Sequence, residues 1–420
     1  MSYNDIEIKY WKIINILSND NNRLLSKKDS TVPYIFFISL KKDTVLEVYL
    51  IEPYFGGSHK FFIKQLCDAF SDLADSLKII SLPPRHWKFR LQLSHVTLAE
   101  LVNKELAYRD PQPNKVLFIC NSLMDIAAFR AMLARPYKNS LLWCYFHENQ
   151  MSYPLQQESP SFNQEKINQQ HIFPAFHLNQ ILTADKVFFN SYFNKEDTFQ
   201  KLNTFISTRP EKVMKTSLSK IFKEAEVIPV GLEPCPLKTI PMWKDRPKRI
   251  LWNHRWEYDK NPEEFFRLVS PILERNSTYE LSLIGENNRD DEGYFREFKN
   301  QYSGQITAFG YIEQRNSYWQ ELVQCRVLPV TSNHDFLGLS ILEATSVGVI
   351  PMLPKRMVYP ELIPDTLKSK LLYEKDPYNK LEFLIQEGIS EEELNILRNH
   401  LAFYSTREVK KKWKLNFPHN

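Results

Sequence analysis

Asp335 and Glu343 lie eight residues apart with Gly338 between them, in the stretch His334-Asp335-Phe336-Leu337-Gly338-Leu339-Ser340-Ile341-Leu342-Glu343-Ala344. The apolar run continues to Gly348 and a strand-like segment at 349–353. The spacing predicts a loop that turns at Gly338 into a short helix, which Gly348 ends in a left-handed cap. Backbone N–H groups at such a helix start, together with its dipole, favour phosphate. Asp335 stands before the helix and Glu343 about two turns further along. N–H groups for a diphosphate and carboxylates for sugar hydroxyls are what a nucleotide-sugar site needs. A helix with one surface Asp and one surface Glu fits the same letters.

Trp252-Asn253-His254-Arg255-Trp256-Glu257-Tyr258-Asp259-Lys260-Asn261-Pro262 offers the complementary charge. Arg255 and Lys260 fall in the turn after a strand, where an Arg fork and a Lys point charge suit a diphosphate. Asn261-Pro262 suits an N-cap followed by the first helical residue. A solvated basic turn reads the same way in isolation.

Three segments of the N-terminal half carry further chemistry. Gly56-Gly57-Ser58-His59 follows a strand, and its glycines either let the backbone approach donor phosphates or acceptor, or make a tight turn. His147-Glu148-Asn149 ends another strand, and three polar side chains in a row are hard to hide in a core. His147 suits a sugar hydroxyl near the reacting carbon, with Glu148 and Asn149 as orienting or acceptor-binding groups; His59 is of the same kind. Arg85-His86-Trp87-Lys88-Phe89-Arg90 interleaves cations with aromatics, which suits the phosphates and stacked bases of single-stranded RNA. Arg85, Trp87 and Arg90 are its contact candidates, with Trp87 in the core as the equal alternative. The run Lys410-Lys411-Lys412-Trp413-Lys414 reads as a solvated helix face.

The elements that must position these residues are short apolar strands alternating with helices. Strands are expected at 45–51, 78–80, 116–120, 141–146, 187–189 and 227–230, with a helix near 60–70. A proline-rich linker follows at 233–249, then strands at 249–252, 281–284, 306–309, 327–330 and 349–350. This alternation predicts two parallel-sheet α/β domains that face each other, with ligand in the cleft at the carboxyl ends of the strands. The expected divisions are an extension at 1–43, an acceptor domain at 44–235, a donor domain at 236–400 and a last helix at 401–420 crossing back. Ile6, Tyr10, Ile13 and Leu17 recur at helical spacing, so the extension is expected to be helical. Only ten glycines occur, and six of them (Gly56, Gly57, Gly285, Gly310, Gly338 and Gly348) follow strands or edge helices, where a tight turn or close approach needs them.

Hydrophobic content of 43% and charged content of 25% describe a globular chain long enough for two cores. A net charge of +4 gives no bulk attraction for nucleic acid, so any such contact must be a local patch. The five cysteines lack CxxC spacing, which argues for buried reduced thiols and against a zinc site. The start of the chain has no signal pattern and no apolar run is long enough to span a membrane, so a cytoplasmic protein is expected.

Arg255 with Lys260, and Asp335 with Glu343, resemble the signature of retaining GT-B glycosyltransferases. That family usually has Glu where this chain has Asp335. The match narrows with Glu52-Pro53-Tyr54-Phe55-Gly56-Gly57-Ser58-His59-Lys60, Tyr145 to Gln150, Phe189-Asn190-Ser191, His254-Arg255-Trp256-Glu257 and Val358-Tyr359-Pro360-Glu361. Together these resemble the tRNA-queuosine mannosyltransferases over about residues 45–400. The resemblance implies a GT-B fold and transfer of mannose from GDP-mannose to queuosine at the tRNA wobble position, with retention. It implies that Arg255 and Lys260 hold the diphosphate, with Gly56 and Gly57 near the donor. Asp335 and the backbone of Phe336, Leu337, Gly338 and Leu339 would meet the sugar, and Glu343 the ribose. His147 would contact the transferring sugar, and Ser58, His59, Arg85, Trp87, Arg90, Glu148 and Asn149 would serve the acceptor. No DxD-type pair stands beside the donor segments, which fits an enzyme without a metal. A GT-B enzyme with a protein, lipid or small-molecule acceptor, or a silent nucleotide-sugar or RNA-binding protein, would use the same donor residues.

Overall fold

The computed structural model describes residues 34–39, 46–107, 110–155, 161–210, 214–286, 293–375 and 377–418. In the first half the strands are β1 (Tyr34–Ser39), β2 (Glu47–Glu52), β3 (Ser76–Ser81), β4 (Val116–Asn121), β5 (Leu141–Phe146), β6 (Lys186–Phe189) and β7 (Glu226–Val227). They form one sheet in the order β1-β3-β2-β4-β5-β6-β7, parallel throughout except that β1 runs antiparallel to β3. The second half contributes β8 (Arg249–Trp252), β9 (Glu280–Ile284), β10 (Ile306–Gly310), β11 (Val327–Pro329), β12 (Ile350–Pro354) and β13 (Leu372–Tyr373). These form an all-parallel sheet in the order β10-β9-β8-β11-β12-β13.

β4, for example, is buried at every residue, as a parallel strand covered by helices on both faces must be. The helix expected over Ile6 to Leu17 lies outside the described residues. What is described of the extension, Tyr34–Ser39, is an edge strand and not a helix. No helix among the described residues is long and apolar enough to cross a membrane.

Strand order decides where a ligand can sit. In the first sheet the chain leaves β2 for β3 on one side and then returns to β4 on the other, so the order reverses between β2 and β4. In the second sheet it reverses between β8 and β11. Such switch points leave a crevice outside the carboxyl ends of the two strands. Glu52 and Asn121 end the strands at the first; Asn253 to Arg255 and the turn leading to Asp335 follow those at the second.

The last helix, Thr406–Asn416, packs on the helix Gly57–Phe70 of the first half. Trp413 is fully buried there, edge-on to Phe62 and Phe70 and 4.9 Å from Phe188. Lys410 and Lys414 pair with Asp68 and Asp72 at 3.3 and 2.5 Å, so part of the run read as a solvated face docks this helix.

Candidate active site

Gly285, after β9, leaves room for the loop beyond β8: a Cβ there would meet His254 O at 1.9 Å. Lys260 is buried at the end of that loop. Its ammonium donates to His334 O at 2.8 Å and stands 3.4 Å from Asp259 and 3.6 Å from Asp335. Asp335 Oδ1 accepts from Gly338 N at 2.8 Å. Burial pushes the Asp335 carboxyl up, but Lys260, His254 and the Gly338 N–H outweigh it and hold it below the usual carboxylate range. Asn261 takes the N-cap position of the next helix, as expected, but its side chain makes no cap bond. It is left-handed at φ +54, and Pro262 opens the helix Pro262–Arg275. Asn tolerates that conformation better than most residues.

Gly338, at φ +74, opens the helix Leu339–Ser346, and Gly348 at φ +85 follows its end as expected. Glu343 is buried in the second turn and already engaged. Arg315 pairs with one carboxylate oxygen, and Tyr318 donates to the other at 2.9 Å. Asn253 Nδ2 donates to Ser340 O at 2.8 Å, tying the β8 loop to the same helix. Phe336 and Leu337 are buried beneath the turn, and Leu339 is partly buried. Arg255 is exposed, its side chain at 47%, and pairs with Glu257 at 3.1 Å. Burial lowers its pKa, but Glu257, Asp259, Tyr153 and Glu148 raise it further.

In the first half, Glu52 is wholly buried and accepts from Tyr54 N at 2.8 Å and Asn121 Nδ2 at 2.9 Å. His59, in the first turn of Gly57–Phe70, brings Nδ1 to 3.2 Å from Glu52 Oε1 and 2.8 Å from Asn121 Nδ2. Its ring stacks on His147 with centroids 4.2 Å apart. His147 is buried, edge-on to Phe62 and Tyr145. Burial, then His59, push its pKa well below the ordinary value, so the ring is neutral. Burial also lowers His59, but Glu52 and Glu148 lift it above the ordinary value.

The remaining acceptor candidates divide. A Cβ on Gly56 would meet Pro84 at 2.5 Å, so its close approach is to the turn before Arg85; Gly57, at φ +49, borders open space and Ser58 is exposed. Arg85 is exposed and Trp87 partly so, whereas Arg90 turns back to donate to Pro83 O at 3.3 Å. Glu148 is partly buried and its charge acts on His59, Arg255 and His334. Asn149 is deeply buried. Its Nδ2 donates to Asp197 at 2.9 Å and Thr198 at 3.1 Å, so it fastens the strand end to the helix Tyr192–Ser207 and does not line the cleft.

The two carboxyl ends face each other. Tyr258 donates to Pro154 O at 2.9 Å, and Phe193 stacks on Phe336 at 5.7 Å. Glu361 accepts from Tyr192 N at 3.2 Å and Phe193 N at 3.0 Å, at the start of the Tyr192–Ser207 helix. Tyr153 bridges the cleft, 6.0 Å from Trp87 and 4.6 Å from His334 by ring centroids. The arrangement can hold an anion beside Arg255 and Lys260 and present imidazole and carboxylate groups to hydroxyls opposite.

Among the described residues, Glu52, His59 and His147 offer ligand atoms within 4.8 Å of one another, a set that a metal ion can use. The Asn121 amide, oriented by Leu123 N on its oxygen at 2.9 Å, already bridges Glu52 and His59 with its nitrogen. A hydrogen-bond donor thus occupies the approach an ion would need on that side.

Sequence reasoning missed Asn121, Tyr153, Arg315 and Tyr318. Arg315 and Tyr318 share a helix face at i and i+3, a weak signal; Asn121, a polar residue closing an apolar strand, gave a stronger one.

Two family models match the chain: "tRNA-queuosine alpha-mannosyltransferase N-terminal" over residues 47–232 and "Glycosyl transferases group 1" over residues 238–404. A Drosophila melanogaster tRNA-queuosine alpha-mannosyltransferase is 29% identical over 326 residues, 76% of this chain and 81% of that protein. Among solved structures, sucrose-phosphate synthase from Thermosynechococcus elongatus matches at TM-score 0.59 and 17% identity, covering 87% of this chain and 97% of the other. An E. coli trehalose-6-phosphate structure bound with UDP-2-fluoro glucose matches at TM-score 0.57 and 11% identity, covering 89% and 100%. These two likenesses establish the fold. With the first model over residues 47–232 and the second over residues 238–404, the chain is a hexosyltransferase of GT-B fold, similar in sequence to the tRNA-queuosine alpha-mannosyltransferases.

Proposed function

We propose that the protein transfers mannose from GDP-mannose to queuosine at the wobble position of a tRNA in the cytoplasm, with retention at the anomeric carbon. The N-terminal half takes the acceptor and the C-terminal half the donor. Arg255 and Lys260 stabilise the departing diphosphate, and Glu343, steered by Arg315 and Tyr318, binds the ribose. Asp335 and the backbone from Phe336 to Leu339 meet the sugar, and His147 borders the reacting carbon. Fixed cations aimed at developing charge are the largest resource such a site has.

The observation that carries the reading is the convergence of Lys260 and Asp335, 3.6 Å apart at one switch point, with the stacked His59 and His147 at the other. The acceptor rests on the relative named for queuosine-tRNA and on the family model over residues 47–232. Incubation with GDP-mannose and queuosine-containing tRNA, read by the mass of the modified nucleoside, tests it. Mannosyl-queuosine supports the reading. Donor hydrolysis without tRNA product points to another acceptor, and donor binding without turnover to a silent binding protein.

A further inference from the structure

Arg407, Lys410, Lys411 and Lys414 recur at helical spacing, so they share one face of the helix Thr406–Asn416. That helix packs along Gly57–Phe70, whose outward face carries Lys60 and Lys64 one turn apart, then Asp68. The two run side by side in the same direction. Gln65 and Thr406 both border Gly231, Lys410 pairs with Asp68, and Lys414 pairs with Asp72. Six cations therefore meet two carboxylates along one seam, in a chain whose 54 basic and 50 acidic residues nearly cancel. Lys60, Lys64, Arg407 and Lys411 are exposed and form no ion pair among the described residues. The four cations of the last helix line a shallow hollow of about 470 Å³ together with Leu73 and Leu415.

The seam starts at the mouth of the cleft. Lys60 follows His59, whose ring stacks on His147 at the β2/β4 switch point. From there the 14-residue helix carries it away from the cleft for about 20 Å. We propose that this seam is where the phosphate backbone of the acceptor RNA rests, outside the cleft; this rests on the tRNA reading above. Exposed Lys and Arg on two packed helices attract a polyanion and fix its register, while the cleft reads the base. Anionic lipid would also be drawn to these cations, but a helix that lies on a membrane needs a free apolar face. That face of Thr406–Asn416 is already covered, with Val409 and Trp413 buried and Leu415 left outside.

Asp68 and Asp72 hold Lys410 and Lys414 in place, so the four unpaired cations are the ones that phosphates meet. Each phosphate they neutralise releases condensed counterions. Binding therefore weakens as salt rises, by about one unit of slope in log K against log salt for each contact. Contacts of this kind carry no sequence information. They set how tightly the RNA is held and leave the turnover of bound RNA alone.

The test combines Lys64→Ala, Arg407→Ala and Lys411→Ala in the full-length protein. Binding of queuosine-containing tRNA is titrated from about 50 to 200 mM salt, and transfer from GDP-mannose is followed in parallel. We expect the KM for tRNA to rise about tenfold or more and the salt slope to fall by about two to three, with kcat and the KM for GDP-mannose unchanged. A variant with the wild-type slope and tRNA KM overturns the proposal and leaves the substrate reading intact. A fall in kcat at unchanged tRNA KM also overturns it, because the cations would then act on the reaction and not on the backbone. Vesicles of phosphatidylserine and phosphatidylcholine that compete with tRNA through the same three residues overturn it in favour of a membrane. If the wild type binds tRNA through these residues but leaves it unmodified, the substrate reading fails and the seam stands. Should the triple variant misfold, Lys411→Glu alone decides on the same two readouts.

Discussion

Tyr318 donates its hydroxyl to Glu343 at 2.9 Å, and Arg315 holds the other carboxylate oxygen, so Glu343 is aimed before any ligand arrives. A hydrogen bond to a charged group contributes about 1.5–3 kcal/mol. Tyr318→Phe should therefore raise the KM for the nucleotide-sugar roughly tenfold with kcat little changed. Steady-state kinetics with the tRNA saturating would measure this. A fall in kcat at unchanged KM would remove Glu343 from the ribose.

Lys260 is the buried cation between Asp259 and Asp335. Lys260→Ala should cost on the order of 10²–10³ in kcat, the usual effect of losing one stabiliser of transition-state charge. Lys260→Arg should not recover it, because a planar fork cannot replace a compact ammonium in a buried slot. Glu343→Ala should also cripple transfer. Circular dichroism must show both alanine variants folded; near-full activity in both would sink the cleft assignment.

Acid should loosen the fold earlier than carboxylates alone predict. His177 is fully buried, and burial holds its pKa down to about 4; His254 lies at about 3 through burial and Lys260. In the unfolded chain both titrate near 6.5, so the unfolded state binds more protons between those values. Stability is full above pH 6.5 and falls as pH drops through that window. Thermal melts from pH 7 to 4 should show the decline, and His177→Gln should flatten it. A variant as acid-sensitive as wild type would remove His177 from the account.

Two glycines should answer alanine differently. Gly285→Ala sets a Cβ at 1.9 Å from the His254 carbonyl, so the 254–260 loop must move and the donor KM should rise sharply. Gly57→Ala meets nothing within 4 Å and carries only its φ of +49, at about 1 kcal/mol. Gly285 also sits at φ +156, so its variant carries both strains and Gly57→Ala only one; Tm and donor KM for the pair should show the larger loss at Gly285. Equal effects would contradict it.

The parallel strands were legible because strands buried on both faces read as unbroken apolar runs, as Leu141–Phe146 does. β13, Leu372–Tyr373, was not, since two residues carry no period. Asn261 reads as a cap and holds that position, but the left-handed turn between Tyr258–Lys260 and the next helix, not its side chain, is what it supplies. Lys260 and Asp335 were visible as types, but their pairing belongs to the switch point. Arg315 lies 28 residues from Glu343, and nothing local marks it as that carboxylate's partner. Asn149 sits in a row of polar residues that suggests a site, but its neighbour helix claims it.

Glu361 gives the two halves something to lose when they part. Its carboxylate covers the first N–H groups of the Tyr192–Ser207 helix from the opposite domain. Parting would strip that helix end of its anion and return both to water, at a cost of about 1 kcal/mol. Any ligand that reaches the cleft by parting the halves must work against this clasp. The clasp therefore tilts the balance of the two halves toward the closed arrangement by that modest amount.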